Sequence, residues 1–206
     1  HLMKDPKFGV LMKFVDRLQS ASEEIRHEFI GAANKRLVRD NENIADVGNW
    51  RQLSFVRNGR KLAHMWDDSK HSFSVTLALL ERMRESLAKD LPKGSMEFSV
   101  LSPKSHLRPH CGPSNHRLRL HLPIILPNTK SGHSARIRVG DEVREWRMGQ
   151  VLIIDDSFDH EVWNDSDEER VVLLLDVWHP HLTDAHREEV RNHFRFQASS
   201  RWWSST

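Results

Sequence analysis

From Met96 to Trp178 the chain is written as short apolar runs with turn residues between them, and no stretch of helical periodicity interrupts the series. The runs are "MEFSVLSP", "RLRLHLPIIL", "ARIRV", "EVREW", "QVLII", "HEVWN" and "RVVLLLDVW", seven candidate strands separated by Pro-Asn, Ser-Gly, Gly-Asp, Met-Gly and Asp-Ser-Asp. A parallel sheet needs a crossover helix between neighbouring strands, and these connections are too short to hold one. The runs therefore predict antiparallel strands folded into a sandwich or barrel.

Helical spacing is confined to the flanks. "FGVLMKFVDRLQSASEEIRHEF" repeats apolar residues at Val10, Leu11, Phe14, Leu18, Ile25 and Phe29, which predicts one amphipathic helix over Phe8 to Phe29. The Asn- and Asp-rich "DNENIADVGNWRQLSF" predicts a loop leading to a short extended piece around Trp50 to Phe55. A second helix is expected from Ser74 to Lys89, stopped by Leu91-Pro92 and Gly94. A third follows at "TDAHREEVRNHFRF", with Thr183 as its N-cap, before an irregular tail containing Trp202-Trp203. The reading is one domain over residues 1–206: a mainly helical part over about 8–93, a β core over about 95–180, and a closing helix over 183–196.

Composition removes several classes of function. Lys and Arg number 31 against 29 Asp and Glu, with no basic stripe, so a nucleic-acid polymer is not the expected partner. The single cysteine, Cys111, excludes an internal disulfide and fits a reducing compartment. The apolar run Val171 to Leu175 is far shorter than the roughly 18 residues a spanning helix needs, and no signal peptide is seen. The expectation is a soluble, cytoplasmic protein with no membrane segment.

The chemistry gathers in "RPHCGPSNHRLRLHL", Arg108 to Leu122. His110 falls in the turn before the "RLRLHL" strand, and His160 falls at the end of "VLIIDDSFDH". Two neutral imidazoles on adjacent strand ends can hold divalent iron with open positions left over. Iron oxygenases usually add a carboxylate two residues after the first histidine; here that position is Gly112. On spacing alone a metal pair competes with two ordinary hydrogen-bonded histidines.

The wider pattern is more specific. "HCGPSNHRLRLHL", then "GQVLIIDDSFDHEVWN", then an arginine and "VWHP" closely resemble the aspartyl/asparaginyl β-hydroxylase family of Fe(II)- and 2-oxoglutarate-dependent oxygenases, over roughly Trp50 to Pro180. The resemblance implies a double-stranded β-helix, the cupin-like jelly roll, with helices outside. It implies iron on His110 and His160 alone, with glycine where relatives of the family carry a carboxylate. It assigns Arg170, assisted by Ser99, to the distal carboxylate of 2-oxoglutarate, and Arg119 and His121 to the region of its C1 carboxylate. Arg117 and Gln52 are implied on the substrate side. The implied reaction uses O2 and 2-oxoglutarate to hydroxylate an unactivated carbon, the β-carbon of an Asp/Asn-type residue or a related amino-acid, peptide or small-molecule substrate. A halogenase that seats chloride at the position vacated beside Gly112 is the alternative, followed by a catalytically silent module of the same fold.

The sequence departs from the family at several points. No arginine stands just before Val47-Gly48-Asn49-Trp50, where the family places a substrate-facing one; Arg51, Arg57 or Arg60 are the candidates to replace it. His116 and Pro123 also differ from the family's residues. Asp155 and Asp156 are read as a turn that orients His160. Trp146, Trp163 and Trp178 are read as core, and Cys111 as a small packed residue.

Overall fold

The structure is a computed structural model, and it describes residues 5–32, 37–39, 44–66, 73–128 and 135–200, with side chains as far as residue 195. Its helices are α1 (Gly9–Ser20), α2 (Ser22–Ala32), α3 (Ser74–Leu87) and α4 (Asp184–Ser200). Its strands are β1 (Val38–Arg39), β2 (Ala45–Val47), β3 (Trp50–Arg57), β4 (Arg60–Lys61), β5 (Met96–Leu101), β6 (Ser105–His110), β7 (Arg117–Ile125), β8 (Ala135–Val139), β9 (Glu142–Glu145), β10 (Leu152–Ile154), β11 (His160–Asn164) and β12 (Arg170–Trp178).

Side-chain alternation sorts the strands into two layers. In β7, Leu118, Leu120, Leu122 and Ile124 join one apolar cluster with α1, α2 and α3, while Arg117, Arg119 and His121 face the other way. In β12, Val171, Leu173, Leu175 and Val177 share that outer cluster, and Val172 and Leu174 belong to a second, inner one. All nine residues of β12 are buried, which is why this run reads as continuously apolar. The major sheet runs β1-β3-β5-β12-β7-β10, with β4 paired to β3; the minor sheet runs β2-β6-β11-β8-β9, and every pairing is antiparallel. From β5 to β12 the chain passes repeatedly between the two sheets, the winding of a double-stranded β-helix. The fold is thus mainly β with flanking helices, as expected.

The helices seal the outer face of the major sheet. Phe29 of α2 meets Phe98 of β5 at 4.8 Å between ring centroids, and Phe55 and Phe73 complete the cluster. α3 begins after Phe73, which offers no capping side chain; instead the Glu28 carboxylate of α2 accepts from the Val75 and Thr76 amides at 2.7 and 2.9 Å.

Four expectations are revised. The stretch read as one helix is two, parted at Ala21; "SASEE" supplies a serine and two first-turn acids, which restart a helix after one residue. The part read as mainly helical contains β3, eight residues long and hydrogen-bonded into the major sheet beside β5. His110 ends a strand, β6, which pairs with β11; Pro109 and Arg108 break its alternation and hide it in the sequence. α4 continues to Ser200, so residues 197–200 are helical, whereas Trp202-Trp203 lie outside the described residues. No helix among the described residues is long and apolar enough to cross a membrane.

Candidate active site

A β-bulge brings the two histidines face to face. In the β6–β11 ladder Leu107 opposes Val162 and His110 opposes His160, so three steps on β6 span two on β11. Leu107 and Val162 both belong to the inner cluster. Without the extra residue His110 would take the opposite face; the bulge, which also accommodates Pro109, turns it inward beside His160. Their ring centroids are 4.1 Å apart.

The two rings are held alike. Nδ1 of His110 lies 2.7 Å from the Arg108 carbonyl, and Nδ1 of His160 lies 3.0 Å from the Phe158 carbonyl. Each Nδ1–H donates to a carbonyl, which fixes the tautomer and leaves Nε2 as the free lone pair. Burial, and then the neighbouring His110, push His160 down to about 4, so this imidazole is neutral at ordinary pH. Two imidazoles with oriented Nε2 atoms are donors that divalent iron accepts. Among the described residues no group of three or more His, Cys, Asp or Glu forms a metal cluster, so a metal here would rest on two protein ligands.

Gly112 is not beside empty space. A Cβ on this residue would stand 2.5 Å from Cγ and Oδ2 of Asp156, a carboxylate with no exposed surface. The Gly112 amide donates to the Asp156 carbonyl at 2.6 Å, which locks the approach. Asp156 Oδ2 accepts from Arg117 at 2.7 Å, while its Oδ1 is buried with no partner. Asp155 is the turn residue of the pair, accepting from the amide and hydroxyl of Ser157 at 3.0 and 2.6 Å.

The inward arginines are already engaged. Arg117, 2% exposed, donates to Asp176 at 2.6 Å, to Asp156 at 2.7 Å and to the Lys93 carbonyl at 2.7 Å. It stands on the cavity wall, but its fork is spent on the scaffold rather than free for the substrate carboxylate that the resemblance implies. Arg119 donates to both oxygens of Asp176 at 2.7 and 3.0 Å. Burial would raise the Asp176 carboxyl, yet Arg119 and Arg117 together hold it below the usual carboxylate range.

Deeper in, several buried polar atoms have no partner. Arg170 is 2% exposed, its Nε is unpaired, and no acid among the described residues forms an ion pair with it. Its guanidinium lies over the Trp146 ring at 4.9 Å, and burial pulls it down to about 9. His121 stacks on the same indole at 6.0 Å with both nitrogens unpartnered; burial, then Arg119 and Arg170, keep it well below its ordinary value. Ser99 accepts from Trp50 Nε1 at 2.9 Å, so its hydroxyl hydrogen is available to an incoming acceptor.

A cavity of about 470 Å³ is lined by Trp50, Gln52, Glu97, Cys111, Arg117 and Arg119 among others. Arg57 stands at its edge and donates to Gln52 at 3.3 Å and Ser54 at 3.1 Å, whereas Arg51 pairs with Glu169. Cys111 is exposed here rather than packed. Of the tryptophans, Trp146 and Trp178 are core, while Trp163 is partly exposed between His106 and Arg136. His116 bonds the Pro92 carbonyl at 3.1 Å and packs on Trp178, a structural role. The sequence reading passed over Asp176 and Glu97, although each is an acid in an apolar strand. Asp176 shares the parity of Arg170, and Glu97 that of Ser99, so period-two counting places both inside.

Comparison with known proteins agrees with this architecture. The profile of the aspartyl/asparaginyl beta-hydroxylase family matches residues 19–180. The aspartyl/asparaginyl beta-hydroxylase of Mus musculus is 38% identical over 151 residues, 73% of this chain and 19% of that protein. The ornithine lipid ester-linked acyl 2-hydroxylase of Rhizobium tropici is 45% identical over 83 residues, 40% of this chain and 29% of that protein. A prolyl-4-hydroxylase structure from Pseudomonas putida aligns with TM-score 0.49 at 14% identity, covering 78% of this chain and 88% of that one. The chain thus spans about a fifth of the mouse relative's length.

Proposed function

The chain belongs to the aspartyl/asparaginyl β-hydroxylase family, and on that premise we propose that it is an Fe(II)- and 2-oxoglutarate-dependent oxygenase that hydroxylates an unactivated carbon of an amino-acid-type or related substrate. One observation carries the reading: the desolvated Arg170 guanidinium, which no acid among the described residues pairs, stands in the same inner layer as two histidines whose Nδ1 atoms are bonded to carbonyls and whose Nε2 atoms meet no partner among the described residues. A buried unpaired cation costs stability unless an anion arrives to meet it. A dicarboxylate does so, and its planar carboxylate matches the guanidinium fork.

In this reading His110 and His160 hold iron, Arg170 and Ser99 take the distal carboxylate of 2-oxoglutarate, and Arg119 and His121 flank its C1 end. Bound iron supplies the activation of dioxygen, with 2-oxoglutarate oxidised to succinate and CO2 as one oxygen atom enters the substrate C–H bond. The residues contribute position and desolvation. The carbonyls of Arg108 and Phe158 orient the imidazoles. Asp176 fixes Arg119, which keeps that charge aimed and immobile. Trp146 closes one side of both Arg170 and His121 against water.

Hydroxylation is favoured over halogenation by what lies next to Gly112. The Asp156 carboxylate fills that space, and its negative charge opposes a chloride there. The names of the relatives divide between amino-acid residues and a lipid acyl chain, so the reaction type carries over further than the substrate. The test is succinate formation from 2-oxoglutarate with added Fe(II). Wild-type protein should show iron-dependent turnover and His160→Ala none; equal rates in the two would sink the assignment.

A further inference from the structure

Resting on the oxygenase reading, the geometry points to a free amino acid, with its α-ammonium unblocked, as the substrate class, and to Glu97 as the residue that receives the ammonium. An amino acid embedded in a peptide has no such cation to offer.

Glu97 sits on the inner face of β5, two residues from Ser99 and about 7 Å along the strand. It is 5% exposed and lines the cavity. Among the described residues its Oε2 accepts a hydrogen bond from the Ser54 hydroxyl at 2.8 Å, across the β3–β5 pairing. No Arg or Lys of the described residues forms an ion pair with it. The adjacent cation, Arg119, has turned its fork to Asp176. A counter-ion role for Glu97 therefore lacks the contact it would need.

The three acids of this inner layer thus differ. Among the described residues Asp156 and Asp176 are ion-paired with Arg117 and Arg119, whereas Glu97, which lines the cavity, forms no ion pair and feels Arg119 and Arg57 only from a distance. Burial pushes the Glu97 carboxyl up from the usual carboxylate range, so its charged form is favoured only when a cation comes to meet it. Three cations on the same cavity's wall form no ion pair among the described residues, Arg39, Arg57 and Lys93, and they supply the opposite charge for a substrate carboxylate. The volume, about 470 Å³, is of the size that holds small ligands. Glu97 would act as a specificity-determining residue, through contact with the substrate and not with iron.

The experiment is calorimetric titration of the full chain loaded with Zn(II) and N-oxalylglycine, which permits binding without turnover. The probes are L-aspartate and L-ornithine, each paired with its Nα-acetyl derivative. One free amino acid should bind at least roughly tenfold more tightly than its acetylated partner, the worth of one charge-assisted hydrogen bond. Glu97→Gln should erase that ratio while N-oxalylglycine still binds. A wild-type ratio near one for both pairs, no binding of either free amino acid, or an unchanged ratio in Glu97→Gln would overturn the proposal. The wild-type ratio alone decides if the variant fails to fold. Failure to bind N-oxalylglycine in the first place would instead strike at the oxygenase reading, so the two failures are separable.

Discussion

Replacing Arg170 by methionine should stabilise the ligand-free protein, which is the reverse of what most core substitutions do. The guanidinium is 2% exposed, has no acidic partner and is drawn down to about 9 by burial alone. At about 1.4 kcal/mol per pH unit, that displacement corresponds to a desolvation cost on the order of 5 kcal/mol. The cation over Trp146 at 4.9 Å returns about 1–2 kcal/mol of it. Methionine keeps most of the aliphatic stem and its packing, and buried charges replaced by apolar residues of similar size have gained about 1–4 kcal/mol elsewhere. A net gain of about 1–3 kcal/mol is expected, an upward shift of roughly 2–12 °C in Tm for a chain of this size. The same change should abolish stabilisation by 2-oxoglutarate. The assay is urea unfolding of iron-free protein, wild type against variant, with and without saturating 2-oxoglutarate. A variant that loses about 2 kcal/mol without ligand and still gains stability from 2-oxoglutarate would show that Arg170 is a structural cation and not the anion's seat.

Three further outcomes follow from contacts in the same layer. Gly112→Ala should cost about 2–4 kcal/mol, because its Cβ would meet the Asp156 carboxylate at 2.5 Å and loosen it from Arg117; in an Asp156→Ala background the same substitution should cost under about 0.5 kcal/mol, as a denaturation double-mutant cycle would register. The iron-free protein should lose stability as pH falls below about 6.5, since His121, His160, His116 and His179 are depressed by burial in the folded state and the unfolded chain takes up their protons first. That contribution is complete above the unfolded value and amounts to at most about 1.4 kcal/mol per pH unit for each group, so His121→Gln should flatten the slope of midpoint against pH.

How far the site was legible in the sequence depended on which kind of pattern carried each residue. β7 and β12 declared themselves, because an alternation of Arg, Leu and His beside an unbroken apolar run fixes which side chains turn inward. Arg119 and His121 accordingly share one face of β7, as the alternation implies, and Arg170 lies on the inner face of β12. His110 was misplaced because its orientation depends on a bulge, and one inserted residue reverses parity without leaving a periodic trace. Arg117 was legible in position but not in partnership. Its binding to Asp156 and Asp176 joins three separate segments of the chain, and no spacing rule reports such a pairing.

The same distinction separates scaffold from function inside the cavity. Arginines that meet an aspartate at 2.6–2.7 Å are neutralised within the fold, and what they contribute is rigidity. Two groups at similar burial form no ion pair among the described residues, Arg170 on β12 and Glu97 on β5; they sit on neighbouring strands, and burial pulls the first down to about 9 and pushes the second up. A fold that needed them only for its own stability would gain by pairing them with each other, since opposite charges in a low-dielectric layer attract strongly. Glu97 instead stands opposite Leu174, and Arg170 opposite Leu101, so the register keeps the two four residues apart along each strand. That separation of about 13 Å along the strand prevents a direct pairing of the two side chains, and on the proposed reading it leaves Arg170 for an anion and Glu97 for a cation. On the proposed reading the empty protein gives up stability at Arg170 that a bound carboxylate restores, which is why removing that charge should strengthen the fold while emptying the site.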